Sequence, residues 1–301
     1  MSKASTSEVI THPRRRFRFF RFLGISTLVV MVIVAVMLAP FWLPILRDGD
    51  EGVIAAERTK RRLLASVNLP MPHAPGTGNL PQRLADHGLR SGAPIFIRIF
   101  KREFELEVWM QRDGVFHRFA TYPMCVWSGK LGPKVREGDQ QAPEGFYTVD
   151  ATALNPNSQW YRSFNLGYPN AYDRAHSRTG SFLMVHGGCA SVGCFAMTDA
   201  QMDDIWQLVT AALTGGQKRF QVQVFPFRMT HDRLAHYRDH PSIQFWQTLK
   251  TGHDLFESSL VPPRVHVCDA RYGFEPGAKA ALGDTPIEAR CPQQTSSNSA
   301  K

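Results

Sequence analysis

Charged residues are missing from one long stretch of this sequence, Leu23 to Leu46, although 20% of the chain is charged. The stretch is longer than the roughly 20 apolar residues that a helix needs to cross a bilayer. An uncharged run of this length argues against a buried core helix. It predicts one membrane-spanning segment at 23–46, in which Trp42 suits a membrane interface.

Acidic residues are scarce before this run. Residues 1–22 contain Glu8 alone against six lysines and arginines, so five of the nine net positive charges lie there. Positive charge of this kind marks the cytoplasmic side of a membrane helix. Little excess charge remains for a nucleic-acid-binding face, and no nucleic-acid partner is expected. A cleaved signal peptide is the alternative to a retained anchor, but Met37 is bulky at the place where cleavage after Ala39 needs a small residue.

Cysteine is also scarce, and all five cysteines follow the apolar run: Cys125, Cys189, Cys194, Cys268 and Cys291. An odd number in an exported chain leaves at least one thiol without a disulfide partner. In an oxidising compartment such a thiol must be protected or used. Cys268 and Cys291 are candidates for one disulfide. Cys189 is a packed residue, a disulfide partner of Cys125, or a second thiol beside Cys194.

Internal repeats are absent, and a composition that is 43% hydrophobic is typical of a globular protein. Pro and Gly cluster in LPMPHAPGTG, which predicts a linker preceded by a short charged helix from Ile54 to Leu64. Near the end of the chain Pro, Gly, Ser and Gln dominate, which predicts a disordered tail. The predicted layout after the anchor is a linker, a folded domain, a helical extension and the tail, at 47–79, 80–230, 231–257 and 258–301.

Alternating apolar residues predict short strands in the folded domain. In PIFIRIF, Ile95, Ile97 and Ile99 alternate with Phe96 and Arg98. Further strands are predicted in FELEVWM, VFHRFATYPMCV, GFYTVDATAL, SFLMVHG and FQVQVFPF, with a tight hairpin turn at Asp113-Gly114. The predicted fold class is therefore mainly β with flanking helices.

One helix has clear start and stop signals. Thr198-Asp199-Ala200-Gln201 matches a capping box, and Gly215-Gly216 predicts the end. Apolar residues at helical spacing between these signals predict one buried stripe: Met202, Ile205, Trp206 and Val209. The segment before Thr198 is therefore a loop between a strand and a helix, where functional residues often lie.

That loop carries His186 and, eight residues later, Cys194, with mostly small residues between them. A thiol has an ordinary pKa near about 8.5, and an adjacent imidazole can accept its proton to give a thiolate–imidazolium pair. Glycine allows substrate to approach the backbone closely, and the N–H groups of Gly193 and Cys194 can stabilise an oxyanion. The pattern predicts Cys194 as nucleophile and His186 as its base.

Zinc is the alternative use of these side chains, since His186, Cys189, Cys194 and His176 are all possible ligands. Structural zinc sites usually show paired C-x2-C or H-x3–5-H spacings, and this segment does not. No metal is expected. No cofactor is expected either, because thiol chemistry needs only a base and an oxyanion site.

The motif Ser191-Val192-Gly193-Cys194, preceded by a strand that ends in His-Gly, resembles the S-x-G-C signature of L,D-transpeptidase (YkuD-type) catalytic domains. The longer pattern HG-x-C-x-S-x-GC, followed here by FAMTD, is similar to the YafK-like branch of that family. Other stretches are similar as well: IFIRIFKREFELEVW (95–109), SGKLGPK (128–134), GDQQAPEGFY (138–147), NLGYPNAYDRAHSRTGS (165–181) and FPFRMT (225–230).

This resemblance implies a β-sandwich-like catalytic fold and a cysteine acyltransferase or hydrolase. Cys194 would attack the carbonyl of the L-centre of meso-diaminopimelate in peptidoglycan stem peptides, with Ser191 in a positioning role. An amine or water would then resolve the acyl-enzyme, and the branch suggests release of a murein-linked lipoprotein. Together with the basic residues and the apolar run at the start of the chain, this Gram-negative branch predicts an inner-membrane protein with its domain in the periplasm, or a periplasmic protein after signal cleavage.

The chain departs from the family at Ala196, where many relatives have an arginine that helps to bind a substrate carboxylate. Either Arg178 or Lys134 takes this role here, or the acceptor differs. Further substrate contacts are expected from the polar loop before His186: Tyr168, Asn170 and Asp173. A membrane-tethered peptidoglycan-binding module without catalysis is the alternative function.

Overall fold

A computed structural model describes residues 14–291, except for the side chains at 14–26, 41, 44, 47 and 48. The helices are α1 (Arg14–Ser66), α2 (Leu80–Asp86), α3 (Ala171–Ala175), α4 (Asp199–Thr214), α5 (His231–His236) and α6 (Ile243–Ser259), with a 3-10 turn at Ala151–Ala153. The strands are β1 (Ile95–Phe100), β2 (Glu105–Arg112), β3 (Val115–Pro123), β4 (Val126–Trp127), β5 (Gly145–Asp150), β6 (Leu154–Asn155), β7 (Ser163–Asn165), β8 (Met184–His186), β9 (Phe195–Ala196), β10 (Arg219–Phe225), β11 (Arg264–Cys268), β12 (Arg271–Glu275) and β13 (Glu288–Ala289).

Helix α1 contains the predicted membrane segment at 23–46, some of whose side chains lie outside those described. The backbone leaves helical geometry at Gly49, where φ is 55° and ψ is −124°. Within the described part of the chain, no helix combines the length and apolar character needed to cross a membrane. The predicted basic segment at 1–22 lies largely outside the described side chains. The chain divides into two compact units between Thr59 and Lys60.

The predicted linker at 47–79 is more ordered than its composition suggests. Helix α1 continues through the predicted short helix to Ser66. Beyond it, Met71 is 3% exposed and packs with Cys125, Val126 and Ala196. The prediction of an unpacked spacer is therefore wrong around Met71, because an apolar side chain between prolines is buried against the domain.

Two five-stranded sheets form the centre of the domain. The first has the order β3-β2-β1-β10-β5, and the second has the order β4-β9-β8-β7-β6. Strands β1 and β10 are parallel, and so are β8 and β9. Mixed sheets with flanking helices agree with the predicted fold class, and the turn between β2 and β3 lies at Asp113-Gly114 as predicted.

Strand β1 is buried on both faces, although its alternating pattern predicts one exposed face. It lies between β2 and β10 in the first sheet. Phe96 contacts Phe256 of α6, with ring centroids 4.6 Å apart. The Arg98 guanidinium is 2.5 Å from the carboxylate of Glu257, also on α6. A helix that is far from β1 in the sequence therefore covers the face that the local pattern leaves exposed.

The start of helix α4 agrees with its sequence signals. The Thr198 hydroxyl accepts a hydrogen bond from the Gln201 amide, and the Gln201 side chain accepts one from the Thr198 amide. This reciprocal pair satisfies two amides that a helix start otherwise leaves without partners. The helix ends at Gly215, and its buried face includes Met202, Ile205 and Val209.

The predicted disordered tail at 258–301 is wrong for its described part. Strands β11, β12 and β13 form a third sheet in the order β12-β11-β13. Val265, Val267 and Tyr272 are buried, and a disulfide joins Cys268 to Cys291. Burial of these few apolar residues and the disulfide stabilise a folded structure, although the composition of the segment is polar and rich in Pro and Gly. Residues 292–301 lie outside the described residues.

Candidate active site

His186 ends β8 of the second sheet, and Cys194 lies in the bend directly before β9. The two strands are parallel, and His186 is opposite Ala196. Residues opposite each other on neighbouring strands point to the same face of the sheet. The Cys194 sulfur is 3.4 Å from the amide of Met184, the first residue of β8. We call the surface that carries His186, Ala196 and Cys194 the active face.

The active face has one covered end and one polar end. At the covered end, Val126 and Ala196 are buried against Met71. At the other end, Ser163 lies opposite His186, and Asn155 lies opposite Ser163. Cys194 and His186, the candidate nucleophile and base, therefore lie where the apolar cover ends and polar side chains begin.

The Cys194 thiol is held by the backbone of the loop before β8. Its sulfur is 3.4 Å from the Met184 amide, which donates to it, and 3.5 Å from the Phe182 carbonyl oxygen. The residue is 7% exposed and is the cysteine that forms no disulfide. Burial raises the pKa of the thiol, while the Met184 amide and the charge of Lys134 act to lower it.

His186 has a defined proton position. Its Nδ1 is 2.6 Å from the Gly187 carbonyl oxygen, which can only accept, so Nδ1 carries the proton and Nε2 is the basic nitrogen. The residue is 2% exposed, and burial lowers the pKa of the imidazole. Burial therefore favours a neutral thiol and a neutral imidazole over the anticipated ion pair. A proton must move to Nε2 when the sulfur attacks.

The two amides predicted to stabilise an oxyanion are engaged by hydroxyl groups. The Cys194 N–H donates to Ser191 Oγ at 3.0 Å, and Ser191 Oγ donates to the Cys194 carbonyl at 2.6 Å. The Gly193 N–H donates to Ser128 Oγ, which is 3.4 Å from Ser191 Oγ. An oxyanion reaches either amide only by displacing a hydroxyl. The positioning role of Ser191 stays a prediction that suits this geometry.

Ser128 was not among the residues that the sequence predicted for the site. It follows β4 and begins the SGKLGPK stretch. The sequence analysis identified this stretch as similar to the family but assigned no chemical role to its serine. A serine so far from the loop in sequence is brought to Gly193 only by the pairing of β4 with β9.

Glycine is required just before the nucleophile. Gly193 has φ of +92°, a conformation that side chains rarely adopt, and a Cβ there would lie 3.2 Å from Leu183 Cδ2. The same loop is fixed further back by a disulfide from Cys189 to Cys125 and by the Gly188 amide, which donates to Asp199 at 2.8 Å. Because the Cys189 sulfur is in a disulfide, it is not the thiolate that the zinc alternative needs.

The Arg178 and Asp173 side chains bind each other, and their predicted contact with substrate stays a prediction. The two side chains form an ion pair at 2.9 Å and are 9% and 0% exposed. Burial raises the pKa of the Asp173 carboxyl, and the bonds to Arg178 oppose that shift. Each of the two charges is therefore paired in the interior, and a substrate group that bound either one would have to displace its partner.

Asn170 and Tyr168 also bond to other parts of the domain, and their predicted contact with substrate stays a prediction. The Asn170 side chain accepts from the Asp173 amide at the start of α3 and donates to the Phe146 carbonyl at 2.6 Å. Tyr168 is 5% exposed, and its hydroxyl donates to the Lys134 carbonyl at 3.3 Å. The family resemblance predicted substrate contacts in this loop, but a resemblance in sequence does not show which polar side chains pair with each other.

Lys134 is the predicted substrate-binding cation whose charge acts on Cys194. Its charge acts on the Cys194 thiol, and a Cβ at Gly180 would lie 2.6 Å from Lys134 Cε. The ammonium is 2.5 Å from the Asp139 carboxylate and 2.8 Å from the Arg136 carbonyl. A substrate carboxylate at this point would compete with Asp139.

Exposed apolar side chains surround the thiol and the imidazole. Phe182 and Val192 are each 73% exposed, Trp160 is 45% exposed, and the Trp160 ring lies 6.1 Å from the His186 ring. Single exposed apolar residues are ordinary, but several around one nucleophile are typical of a binding surface. The sequence analysis assigned none of them to the site.

The comparison with known proteins agrees with the geometry. The family model of the L,D-transpeptidase catalytic domain (YkuD) matches residues 94–226. The Escherichia coli K12 protein named "Putative L,D-transpeptidase YafK" is 45% identical over 181 residues, which cover 60% of this chain and 74% of that protein. This chain belongs to the L,D-transpeptidase family. Its similarity is to the YafK-like branch, and the protein of the same name from Escherichia coli O157:H7 matches with the same identity and coverage.

Solved structures show weaker similarity. The helical cell shape determining protein Pgp2 from Campylobacter jejuni has 21% identity and a TM-score of 0.36, and the match covers 50% of this chain and 56% of Pgp2. This chain thus spans little more than half of Pgp2. Bd1075 from Bdellovibrio bacteriovorus has 16% identity and a TM-score of 0.34, and the match covers 57% of this chain and 76% of Bd1075.

Proposed function

We propose that this L,D-transpeptidase-family chain is a peptidoglycan-remodelling enzyme that uses Cys194 to attack the carbonyl of the L-centre of meso-diaminopimelate. The observation that carries the proposal is the arrangement of its unpaired thiol. Cys194 lies on the active face with His186, whose Nδ1 is bonded to the Gly187 carbonyl. That bond leaves Nε2 as the only basic atom of the imidazole.

The chemistry has two steps. In the first, the sulfur attacks the carbonyl carbon as its proton passes to His186 Nε2, the C–N bond breaks, and the leaving amine takes the proton from the imidazolium. A thioester on Cys194 remains. In the second step an amine or water gives its proton to His186 and attacks the thioester carbon, and the C–S bond breaks.

Charge beside the nucleophile supports an anionic donor peptide. Stem peptides carry carboxylates, and the Lys134 ammonium is close enough to act on the Cys194 thiol. This ammonium takes the place that the family arginine, absent at Ala196, would otherwise fill. Release of a murein-linked lipoprotein is the finer form of the proposal, supported by the similarity to the YafK-like branch.

The test is incubation of the purified full chain with diaminopimelate tetrapeptides and with a diaminopimelate–lysine-linked peptide, followed by mass spectrometry. We expect products cut or exchanged at the diaminopimelate carbonyl, together with a transient thioester on Cys194. Hydrolysed products identify a peptidase, and exchanged products identify a transferase.

The control is the Cys194→Ala variant. Product formation by this variant at the wild-type rate would rule out the proposed nucleophile. If the wild-type chain binds peptidoglycan in a pull-down but leaves every peptide intact, the wall-binding alternative replaces the enzyme.

The proposed compartment is the periplasm, with retention in the inner membrane through 23–46 as the remaining prediction. Support comes from the two disulfides, Cys125–Cys189 and Cys268–Cys291, which form and persist in oxidising compartments. Thiol labelling of fractionated cells tests this: one labelled thiol per chain is expected before reduction, in the membrane fraction. Five labelled thiols in the cytosolic fraction would contradict it.

A further inference from the structure

A second cavity continues the active face beyond the nucleophile. It is a groove of about 420 Å³, and Phe182 and Met184, whose backbones hold the Cys194 sulfur, form part of its wall. The rest of its lining is mostly polar: Thr148, Asp150, Thr152, Asn155, Ser163 and Asn165. We call this cavity the amine-side groove. Ligand sites are typically concave and place a few polar groups at fixed points.

Ser163 links the groove to the candidate base. It lies directly opposite His186 in the β7–β8 pair, so both side chains are on the active face. Ser163 is fully buried, and within the described part of the chain its hydroxyl has no hydrogen-bond partner. A buried hydroxyl without a partner costs stability, and its retention beside His186 suggests a partner supplied by a ligand.

The charge of the groove is opposite to that near Lys134. Asp150 is the ionisable side chain in the lining. The Thr152 hydroxyl bonded to it, at 2.6 Å, is the main cause that lowers the pKa of its carboxyl, so Asp150 is ionised at neutral pH. Arg219 is paired opposite Asp150 across β5 and β10 and reduces its field, but Arg219 does not line the groove.

We propose that the amine-side groove binds the peptide on the amine side of the scissile bond and favours a residue with a cationic side chain. This inference deepens the proposed function and rests on it. Lys134 would attract the carboxylates of the donor, while Asp150 would attract an ammonium group on the residue that leaves or attacks.

The covalent steps are those already described, with the groove fixing the amine. During acylation the C–N bond breaks, and the nitrogen that leaves takes its proton from His186 Nε2. The side chain of the leaving residue remains protonated throughout and takes part only through its charge. These steps need no oxidant, reductant or cofactor.

Two tetrapeptides test the proposal: they are identical through diaminopimelate and end in D-lysine or D-norleucine. The second lacks only the side-chain ammonium group. Mass spectrometry of the released amino acid gives kcat/KM for each, whether water or an amine completes the reaction. For the wild-type chain we expect a preference of about fivefold for D-lysine, the size of a partly exposed charge pair.

The Asp150→Asn variant should lose this preference by slowing release of D-lysine alone, since the amide can still accept from Thr152. The Asn165→Asp variant, which adds an acid to the same lining, should increase the preference. Asp239→Asn is the matched control: that carboxylate is exposed, contacts Arg238 and does not line the groove. Because each ratio is measured within one protein, partial misfolding lowers both rates equally and leaves the ratio unchanged.

A wild-type ratio near one, or an unchanged ratio in Asp150→Asn, would overturn the groove assignment while leaving Cys194 chemistry intact. Failure of the proposed function gives a different result from failure of the groove assignment. If neither peptide is cut, or if Cys194→Ala cuts both as fast as the wild type, the proposed function itself fails.

Discussion

Replacing Cys194 by alanine is expected to reduce turnover of a diaminopimelate tetrapeptide by about 10⁴-fold or more, as for other covalent nucleophiles. The other four cysteines are paired in two disulfides, so none of them offers a second thiol. Loss of the sulfur removes the acyl-enzyme completely, and water attacking without it lacks the nucleophile that splits the reaction into two easier steps.

The measurement is single-turnover release of the terminal residue, with intact-mass analysis for the thioester. Cys194→Ser is the second variant, since it keeps the size of the side chain but offers a hydroxyl that is far less acidic than a thiol. Both variants should still be stabilised against heat by the tetrapeptide if binding is intact. Residual turnover above about 1% of wild type in Cys194→Ala would show that another group attacks.

Replacing His186 by glutamine is expected to lower turnover by about 10²- to 10⁴-fold, the usual contribution of a general base. Burial raises the pKa of Cys194 and lowers that of His186, so the thiol does not ionise by itself near neutral pH. The imidazole must therefore accept the proton during attack. His231→Gln is the matched control, because that side chain is 94% exposed.

The role of His186 as base also predicts how activity changes with pH. Only the neutral imidazole can accept a proton, and its lowered pKa lies below the ordinary value of about 6.5. Wild-type activity should therefore be level from about pH 8 down to about 6.5 and fall only at a pH below that value. In His186→Gln the remaining activity should instead rise with thiol ionisation, above about pH 8.5. An unchanged acidic limb in this variant would assign the base to another group.

Local sequence signals predicted the parts of the site that are local in the chain. The capping box at Thr198, the hairpin at Asp113-Gly114 and the small-residue loop from His186 to Cys194 each depend on residues a few positions apart. Backbone geometry at such distances follows from side-chain size and hydrogen-bonding capacity. Gly193 illustrates this, since its φ of +92° excludes most other residues.

Other predictions failed or stayed incomplete because they depended on contacts between residues that are far apart in the sequence. Polar residues in the loop before His186 looked available to substrate, yet Asp173 and Arg178 bind each other in the interior. Alternation in β1 predicted an exposed face, which α6 covers through Phe256 and Glu257. A polar composition near the end predicted disorder, but a few buried apolar side chains and a disulfide sustain a sheet.

By itself, the sequence determined the family and the place of Gly193, and it predicted Cys194 as nucleophile and His186 as its base, because all of them lie in one continuous motif. Only the tertiary structure decided what surrounds them. Ser128 reaches Gly193, and Ser163 lies opposite His186, through pairing between strands far apart in the chain. The register between two strands depends on the packing of a whole sheet face. The residues that contribute to this packing are far apart in the chain, so no local sequence pattern reveals it.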